Sequence, residues 1–320
     1  MASFGSSAKR VEDPVLLKGN GKFTDDIHMP GALYSAMLRS PFAHARINSI
    51  DTSEALAMEG VHMVLTNKDL ESEYSTTQLP LMVPNPVITK PVTPYMLAKD
   101  YVRYVGEPVA LIVAEDRYIA EDAMERVFVD FEPLPVAGDF REAAKPGAAT
   151  AHVDEEDNVC AVFTQEFGDV ETVFANAPHV FKDTFFQHRG AAHPLETRAM
   201  MATYDEMSDH LTFYAGSQSP HRVREIYAKL RGVDDNQVRV LVPDVGGGFG
   251  AKGQTYPEYF SVAAAARRLC RPVKYMEDRR ENFTATHQER DQLWEAEIAF
   301  DEDGTLLGFR GTLLHDAGAY

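Results

Sequence analysis

A glycine-rich segment at residues 245–253 (VGGGFGAKG) carries the clearest chemical signal in the sequence. It follows a predicted strand and precedes a predicted helix. Glycine lacks a Cβ and populates positive φ angles, so backbone N–H groups in such a segment approach a ligand closely. A loop of this kind at a helix N-terminus suits an anionic group such as a phosphate. A tight turn from strand to helix needs the same glycines, so the segment alone leaves both interpretations open.

This segment lacks one common phosphate-binding motif and matches another. The Walker loop requires Ser or Thr after its Gly-Lys pair, whereas Lys252 follows Ala251 and precedes Gly253, so that motif is absent. Residues 248–253 match GxGxxG literally, and Glu277 and Asp278 end the next predicted strand. A dinucleotide-binding hypothesis therefore stays open, although no second βαβ unit is visible.

Other polar residues near this segment have types that could contact a ligand. Gln218 lies in residues 216–220 (GSQSP), where an amide either donates to a ligand oxygen or ties down the loop. His193 and Glu196 have no partner cluster at metal-ligand spacing, which favours a structural role and predicts no direct metal ligand. The charged run at residues 277–282 (EDRREN) predicts the solvated start of a helix.

The elements that must position these residues combine helices and strands. The continuous apolar run at residues 108–114 predicts a buried strand, and residues 116–126 predict an amphipathic helix. Ser219-Pro220 is a typical helix start. The elements expected around the candidate residues are strands at 197–205, 211–216, 237–242 and 272–276 and helices at 219–230 and 258–269. A hairpin is expected from strands at 293–300 and 306–315.

Composition narrows the class of protein. The chain has 320 residues, which predicts about two domains. Its formal charge of −18 argues against a nucleic-acid binder and against anionic membranes. The two cysteines, Cys160 and Cys270, form no CxxC motif, so an iron–sulfur cluster or zinc ribbon held by this chain alone is not expected. We expect a cytoplasmic protein, because no signal peptide and no membrane-length apolar run are visible.

Several ordered stretches together resemble the large, molybdopterin-binding subunit of the xanthine oxidase family, which includes aldehyde oxidoreductases and aerobic carbon monoxide dehydrogenases. The stretches that resemble its α/β-hammerhead domain are residues 19–26 (GNGKFTDD), 39–47 (RSPFAHARI), 105–110 (VGEPVA) and 114–123 (AEDRYIAEDA). Those that resemble the start of its molybdenum-cofactor domain are residues 194–196 (PLE), Gln218 with 220–221 (PH), 246–250 (GGGFG), 272–274 (PVK) and 277–279 (EDR).

The resemblance implies an α+β fold. It predicts an α/β-hammerhead domain at residues 15–132, a linker at 133–160 and the first part of a molybdopterin-binding domain at 161–320. It also implies a role for each candidate site residue. Gln218 would hydrogen-bond an oxo ligand of molybdenum, while the pterin and metal would be lined by Gly247, Gly248, Phe249 and Gly250.

The function implied is that of a molybdenum hydroxylase, which oxidises an aldehyde or N-heterocycle with water as the oxygen source. Electrons would leave through [2Fe–2S] clusters to FAD, both on partner subunits, and the expected pterin is the cytosine dinucleotide form. The glutamate base of the family is expected beyond Tyr320, so no catalytic residue is predicted here and a C-terminal half is an expected partner. Purine-oxidising members carry glutamate where this chain has Gly253, which disfavours purines.

Two alternatives remain at this point. One is a GxGxxG dinucleotide-binding oxidoreductase, and the other is a non-catalytic assembly half of a split complex. Both the hydroxylase and the assembly half predict exposed apolar surface near residues 290–320, where the last domain looks unfinished.

Overall fold

The computed structural model describes residues 4–320, which form three β-sheets with helices packed against them. The strands are β1 (Leu33–Arg39), β2 (Ala45–Asp51), β3 (Val61–Leu65), β4 (Tyr101–Val102), β5 (Pro108–Ala114), β6 (Phe128–Pro133), β7 (His179–Gln187), β8 (Ala199–Asp205), β9 (His210–Ala215), β10 (Val238–Leu241), β11 (Val273–Met276), β12 (Gln292–Phe300) and β13 (Leu306–His315). The α-helices are α1 (Asp13–Leu16), α2 (Ser53–Leu56), α3 (Asn67–Leu70), α4 (Arg117–Met124), α5 (Phe140–Ala143), α6 (Val170–Asn176), α7 (Pro220–Arg231), α8 (Glu258–Leu269) and α9 (Arg279–Ala285). Within residues 4–320, no helix has the length and apolar character needed to cross a bilayer.

The largest sheet takes strands from both halves of the chain. Its seven strands run in the order β10-β9-β8-β11-β1-β5-β3. β1 lies at the junction, parallel to β11 and antiparallel to β5. The main hydrophobic core packs α7 and α8 on this sheet, around buried side chains that include Phe213, Tyr227 and Phe260.

Local sequence accounts for the elements nearest this core. β5 is buried at all seven positions, as the apolar run at its position predicts. α8 has the predicted bounds, and its buried alanines at 263–266 allow the helix to lie close to the sheet. α7 begins with Pro220 and ends at Gly232, whose φ of +73° suits a left-handed helix cap.

The two smaller sheets differ in how well they are covered. The sheet β4-β2-β6 encloses a small apolar cluster around Val102 and Val109. The sheet β13-β12-β7 contains the predicted hairpin, yet every residue of β7 is exposed. One face of this sheet carries exposed side chains of Phe181, Phe185 and Phe309.

The mixed helix and strand content agrees with the predicted α+β class. The division of the chain near residues 132 and 161 stays a prediction. The hydrogen-bonded sheet shows that any such division does not separate the strands, because β1, β3 and β5 pair within the same sheet as β8 to β11.

Candidate functional site

The topology of the seven-stranded sheet gathers the candidate residues at one end. β9 and β10 are parallel, so the segments that follow them, residues 216–218 and 242–250, leave the sheet at the same end. β8 is antiparallel to β9 and therefore starts there, just after Glu196. Ligand sites in such sheets commonly lie at the carboxyl ends of parallel strands.

Gln218 contacts the glycine segment directly. Its Oε1 accepts a hydrogen bond of 3.0 Å from the Gly250 N–H, and its backbone N–H donates to the Lys252 carbonyl at 2.9 Å. Because an N–H can donate only to the amide oxygen, the Gly250 contact fixes the orientation of the amide. Within residues 4–320, Gln218 Nε2 has no hydrogen-bond partner, and the residue is exposed. Nε2 is thus an available donor with a defined direction.

Close approach of the backbone explains three of the glycines. A Cβ on Gly248 would lie 2.6 Å from Gln218 Cδ. One on Gly246 would lie 2.4 Å from Glu196 Cβ, and one on Gly247, whose φ is +106°, would lie 2.9 Å from Pro194 Cβ. No side chain fits these positions without moving the loop, so the segment is a cradle built from bare backbone.

Phe249 occupies the same loop in a conformation that is uncommon for its type. Its φ is +52°, in the left-handed region, and its side chain is 76% exposed. Large residues rarely adopt this region, and the strain is typical of ligand-contacting positions. Leu195 and Phe283 are also exposed, in two chain segments that contact each other beside the loop. Together with Phe249 they make the edge of the cradle apolar.

Beneath the loop lies an ion pair between Lys252 and Glu196. Lys252 Nζ donates to Glu196 Oε2 at 2.6 Å, and the same oxygen accepts from the Gly246 N–H at 2.8 Å. Lys252 is only 1% exposed, so its ammonium group faces the protein interior. The structural role favoured for Glu196 from its sequence context agrees with these contacts. Its other oxygen, Oε1, is buried without a hydrogen-bond partner among residues 4–320.

A second group of buried charges lies at the same end of the sheet, and we call it the Arg198 cluster. Its members are Arg39, Arg198, Glu258, Glu277 and Glu281. Arg198 donates to Glu258 at 3.1 Å and also to Glu277, and its guanidinium lies 3.8 Å from the centre of the Tyr256 ring. Burial alone would raise the pKa of Glu258, but Arg198 and Arg39 outweigh it and hold that pKa at about 2.

The interpretation of residues 277–282 as a solvated helix start is wrong for its first and last residues, because Glu277 and Asn282 are buried. The helix is present as α9, and Asp278 caps it by accepting from the Glu281 N–H at 2.7 Å. Glu277, however, has a fully buried side chain that contacts Arg198. Its burial was not readable locally, because Arg198 is 79 residues away in the sequence.

These contacts also bear on the dinucleotide-binding alternative. The residue expected to bind a ribose is an acid at the end of the next strand. Glu277 is occupied by Arg198, and Asp278 is occupied by the N-terminus of α9. Glu277 is therefore not free for a ribose hydroxyl, and one oxygen of Asp278 is already engaged.

Glu107 is a further buried acid at this end of the sheet, just before β5. It accepts hydrogen bonds from the Tyr320 hydroxyl and the Arg103 backbone N–H. Burial raises its pKa to about 7, and these hydrogen bonds offset the rise only in part. No sequence pattern singled out Glu107 as a titrating group.

The residues of the cradle fit a pterin-type cofactor through backbone and amide donors. Gln218 Nε2 supplies a free directed donor, and the close packing of residues 246–248 against Glu196, Pro194 and Gln218 fixes the backbone beside it. Among residues 4–320 there is no group of three or more His, Cys, Asp or Glu side chains placed to hold a metal ion. A metal-bearing cofactor would therefore contact these residues by hydrogen bonds and shape.

Comparison with known proteins adds an independent line of evidence. A family model described as the molybdopterin cofactor-binding domain matches residues 151–320. A second model, the a/b hammerhead domain of aldehyde oxidase and xanthine dehydrogenase, matches residues 18–135.

Individual relatives match over nearly the whole chain. The large subunit of nicotine 6-hydroxylase from Paenarthrobacter nicotinovorans is 40% identical over 99% of this chain and 38% of its own length. The large chain of carbon monoxide dehydrogenase from Afipia carboxidovorans is 38% identical over 100% of this chain and 40% of its own length. Quinoline 2-oxidoreductase from Pseudomonas putida 86 superposes with a TM-score of 0.89 at 37% identity, over 98% of this chain and 39% of its own. The chain thus spans about two fifths of these relatives.

Proposed function

We infer the function from one premise: the chain belongs to the xanthine oxidase family of molybdenum hydroxylases, as part of its molybdopterin-binding large subunit. We propose that it forms the part of such a subunit that holds the molybdenum cofactor. When bound, that cofactor supplies two-electron oxidation with water as the source of oxygen. The contribution of this chain is to bind and orient the cofactor.

The observation that carries the proposal is the contact between Gln218 and the glycine cradle. The Gly250 N–H holds the amide oxygen, so that Nε2 is left to donate to an oxo ligand. Gly247 and Gly248 would present bare backbone to the pterin, and the exposed ring of Phe249 would cover one side of it when bound. A preoriented donor of this type is worth far more than a mobile one, since no reorganisation is needed during reaction.

The exposed face of the sheet β13-β12-β7 supports the proposal that further polypeptide completes the subunit. Phe185, Trp294 and Phe309, which project from this face, line an open cavity of about 390 Å³. Apolar patches of this kind typically mark interfaces. We propose that the remaining part of the large subunit, present in the longer relatives, covers this face and supplies the glutamate base. Iron–sulfur and FAD subunits then accept the electrons.

The substrate class proposed is an N-heterocycle or an aldehyde. The two relatives named for nicotine and quinoline favour the heterocycle. Glycine at position 253 supplies no acidic side chain to recognise a purine, and the space around it is open. We further propose the cytosine dinucleotide form of the pterin, a cytoplasmic location in keeping with two free cysteines, and domains at residues 15–132 and 161–320 joined by the segment 133–160.

The test is elemental and mass analysis of the natively purified protein with its co-purifying chains. We expect stoichiometric molybdenum, a released cytidine nucleotide and chains that carry iron and flavin. In that enzyme, Gln218→Ala should lower turnover of an N-heterocycle by about a hundredfold. Gln165→Ala, an exposed glutamine outside the site, is the control. A complete complex without molybdenum would refute the function, and unchanged turnover in Gln218→Ala would remove that residue from its role.

A further inference from the structure

We propose that the buried pair Glu196–Lys252 is a positioning device, which fixes the glycine cradle and Gln218 relative to each other. The identity of the group held in the cradle rests on the proposed function. The claim about the loop itself rests only on the contacts of this chain.

Glu196 holds the first residue of the loop through two hydrogen bonds to Gly246. Its backbone N–H donates to the Gly246 carbonyl at 3.2 Å, and its Oε2 accepts from the Gly246 N–H at 2.8 Å. Both polar backbone atoms of Gly246 are therefore held by one residue. A Cβ on Gly246 would collide with the Glu196 side chain, so the two segments are in direct contact.

Lys252, at the other end of the loop, connects Gln218 to Glu196. Its carbonyl accepts from the Gln218 N–H at 2.9 Å, while its ammonium group reaches Glu196 Oε2 at 2.6 Å. One lysine thus connects the residue that presents the free amide to the residue that grips Gly246. The pair closes a ring of contacts around the loop at residues 247–251.

A charged pair at this position fixes geometry in a way that apolar side chains would not. Two apolar side chains of similar size would fill a buried space at equal or lower cost in stability. What they would not supply is direction, since a charged donor and acceptor define one register of the two segments. Gly216 packs beside the pair, since a Cβ there would lie 3.5 Å from Glu196 Oε2 and 3.6 Å from Lys252 Nζ, in ordinary contact with both. The pair therefore specifies geometry more than it adds stability.

A matched control lies in the same sheet. Lys274 on β11 is also almost fully buried, at 2% exposure, and its Nζ donates to the Asp25 carbonyl at 2.6 Å. It makes no contact with the loop at residues 245–250. Lys274→Met removes an equally buried ammonium group without touching the cradle.

The experiment is hydrogen exchange of the natively purified protein, followed by mass spectrometry of peptides that cover residues 243–253. In Lys252→Met, we expect exchange in this peptide at least about tenfold faster than in the wild type, with peptides of β8 and β9 unchanged. Lys274→Met should leave the loop peptide at the wild-type rate. Equal exchange in Lys252→Met and the wild type would overturn the proposal, as would a rise of the same size throughout the sheet.

A second variant guards against a failure of Lys252→Met to fold, since that change leaves the Glu196 carboxylate buried without its cation. Glu196→Gln/Lys252→Met removes both charges and keeps an oxygen for the Gly246 N–H. The loop peptide should again exchange faster, because the connection to Lys252 is gone. Slow exchange in the double variant would show that the pair does not position the loop.

Molybdenum content separates this inference from the proposed function. We expect Lys252→Met to lose most of its molybdenum while Lys274→Met retains it. Absence of molybdenum from the wild type would refute the function and leave the exchange result to decide the positioning role. If Lys252→Met retains wild-type molybdenum content and wild-type loop exchange, the positioning role is refuted and the proposed function stands.

Discussion

Two regions of buried charge lie at the same end of the seven-stranded sheet, and they differ in how fully their polar atoms are paired. In the Arg198 cluster, two arginines meet three glutamates, and each guanidinium contacts more than one carboxylate. Below the glycine cradle, Glu196 and Lys252 pair once and leave Glu196 Oε1 without a partner. The first region is complete within this chain, whereas the second is adjacent to a surface that offers free donors.

Full and partial pairing of buried charges have different consequences for stability and for ligand binding. A buried charge that is fully paired contributes little net energy but is costly to disturb. An unpaired oxygen that is buried, such as Glu196 Oε1, carries a desolvation cost, whereas the exposed Gln218 Nε2 above it is available to a further molecule. Glu196, which belongs to the pair, and Arg198, which belongs to the cluster, are only two residues apart in sequence. The cradle is therefore attached directly to the Arg198 cluster.

The largest expected effect comes from breaking the Arg198 cluster. Arg198→Met leaves Glu258 and Glu277 buried without their shared cation, which should lower the free energy of unfolding by about 3–5 kcal/mol. Denaturant titration of the purified protein measures this loss. Arg117→Met breaks a surface pair with Glu121 and should cost about 0.5 kcal/mol or less. A loss for Arg198→Met as small as that of the control would contradict the assigned importance of the cluster.

Two buried glutamates at this end of the sheet should respond differently to pH. Glu258 forms ion pairs with two arginines, and its pKa is about 2. Glu107 forms no ion pair within residues 4–320; burial raises its pKa from 4.5 to about 7, and its hydrogen bonds and the charge of Arg103 offset the rise only in part. Because Glu107 binds its proton more tightly in the folded state, its contribution to stability is complete below about pH 4.5. That contribution is lost as the pH rises through 7, by roughly 3 kcal/mol.

The variant Glu107→Gln does not titrate, so this loss between about pH 4.5 and pH 7 should be absent from its unfolding free energy. Urea unfolding at several pH values across and above that interval provides the measurement. Glu121→Gln, on the exposed face of α4, serves as the control and should follow the wild-type curve. Parallel pH profiles for Glu107→Gln and the wild type would show that Glu107 does not titrate in this interval.

A smaller change separates the cradle from the sheet that supports it. Gly246→Ala places a methyl group against the Glu196 side chain and should cost about 1–3 kcal/mol, together with most of the bound molybdenum. Gly253→Ala, only a few residues away, enters open space and should leave both quantities near their wild-type values. Equal molybdenum content in the two variants would mean that the close contact at Gly246 is not required.

The smallest effect on stability is expected at the exposed sheet. Phe185→Ser on β7 removes a side chain that is 57% exposed, so the free energy of unfolding should change by about 0.5 kcal/mol or less. Its effect should appear instead as weaker binding of this chain to the separately produced remainder of the large subunit. Phe163→Ser, exposed outside that face, is the matched control. Undiminished binding in Phe185→Ser would remove this face from the interface.

Much of the fold was predictable because its signals are local. The apolar run of β5, the bounds of α8 and the final hairpin are each encoded by neighbouring residues. The α+β class and the candidate residues around Gln218 followed from ordered motifs. Their meeting at one sheet end followed only from the strand order, since β9 and β10 must pair in parallel before the loops converge.

The buried charges were not predictable for the opposite reason. Arg39 and Glu258 are 219 residues apart, and Glu196 and Lys252 are 56 apart, so no window of sequence contains either pair. Lys252 read alone appeared only in a Walker motif that fails, and no pattern assigned a partner to Arg39, Glu196 or Glu258. Their pairing depends on tertiary structure, which also decides whether a glutamate such as Glu107 is solvated.

The central position of β1 has a consequence for the order of events during synthesis. Ser35 on β1 contacts Lys274 on β11, which is 239 residues later in the chain. At the usual pace of translation, β1 waits for its neighbour for roughly tens of seconds. Throughout that interval one edge of β1 is open to any other strand, including one from a nascent copy of the same protein. Closure of the sheet, and with it the seat for the cofactor, is therefore a late step in the maturation of this chain.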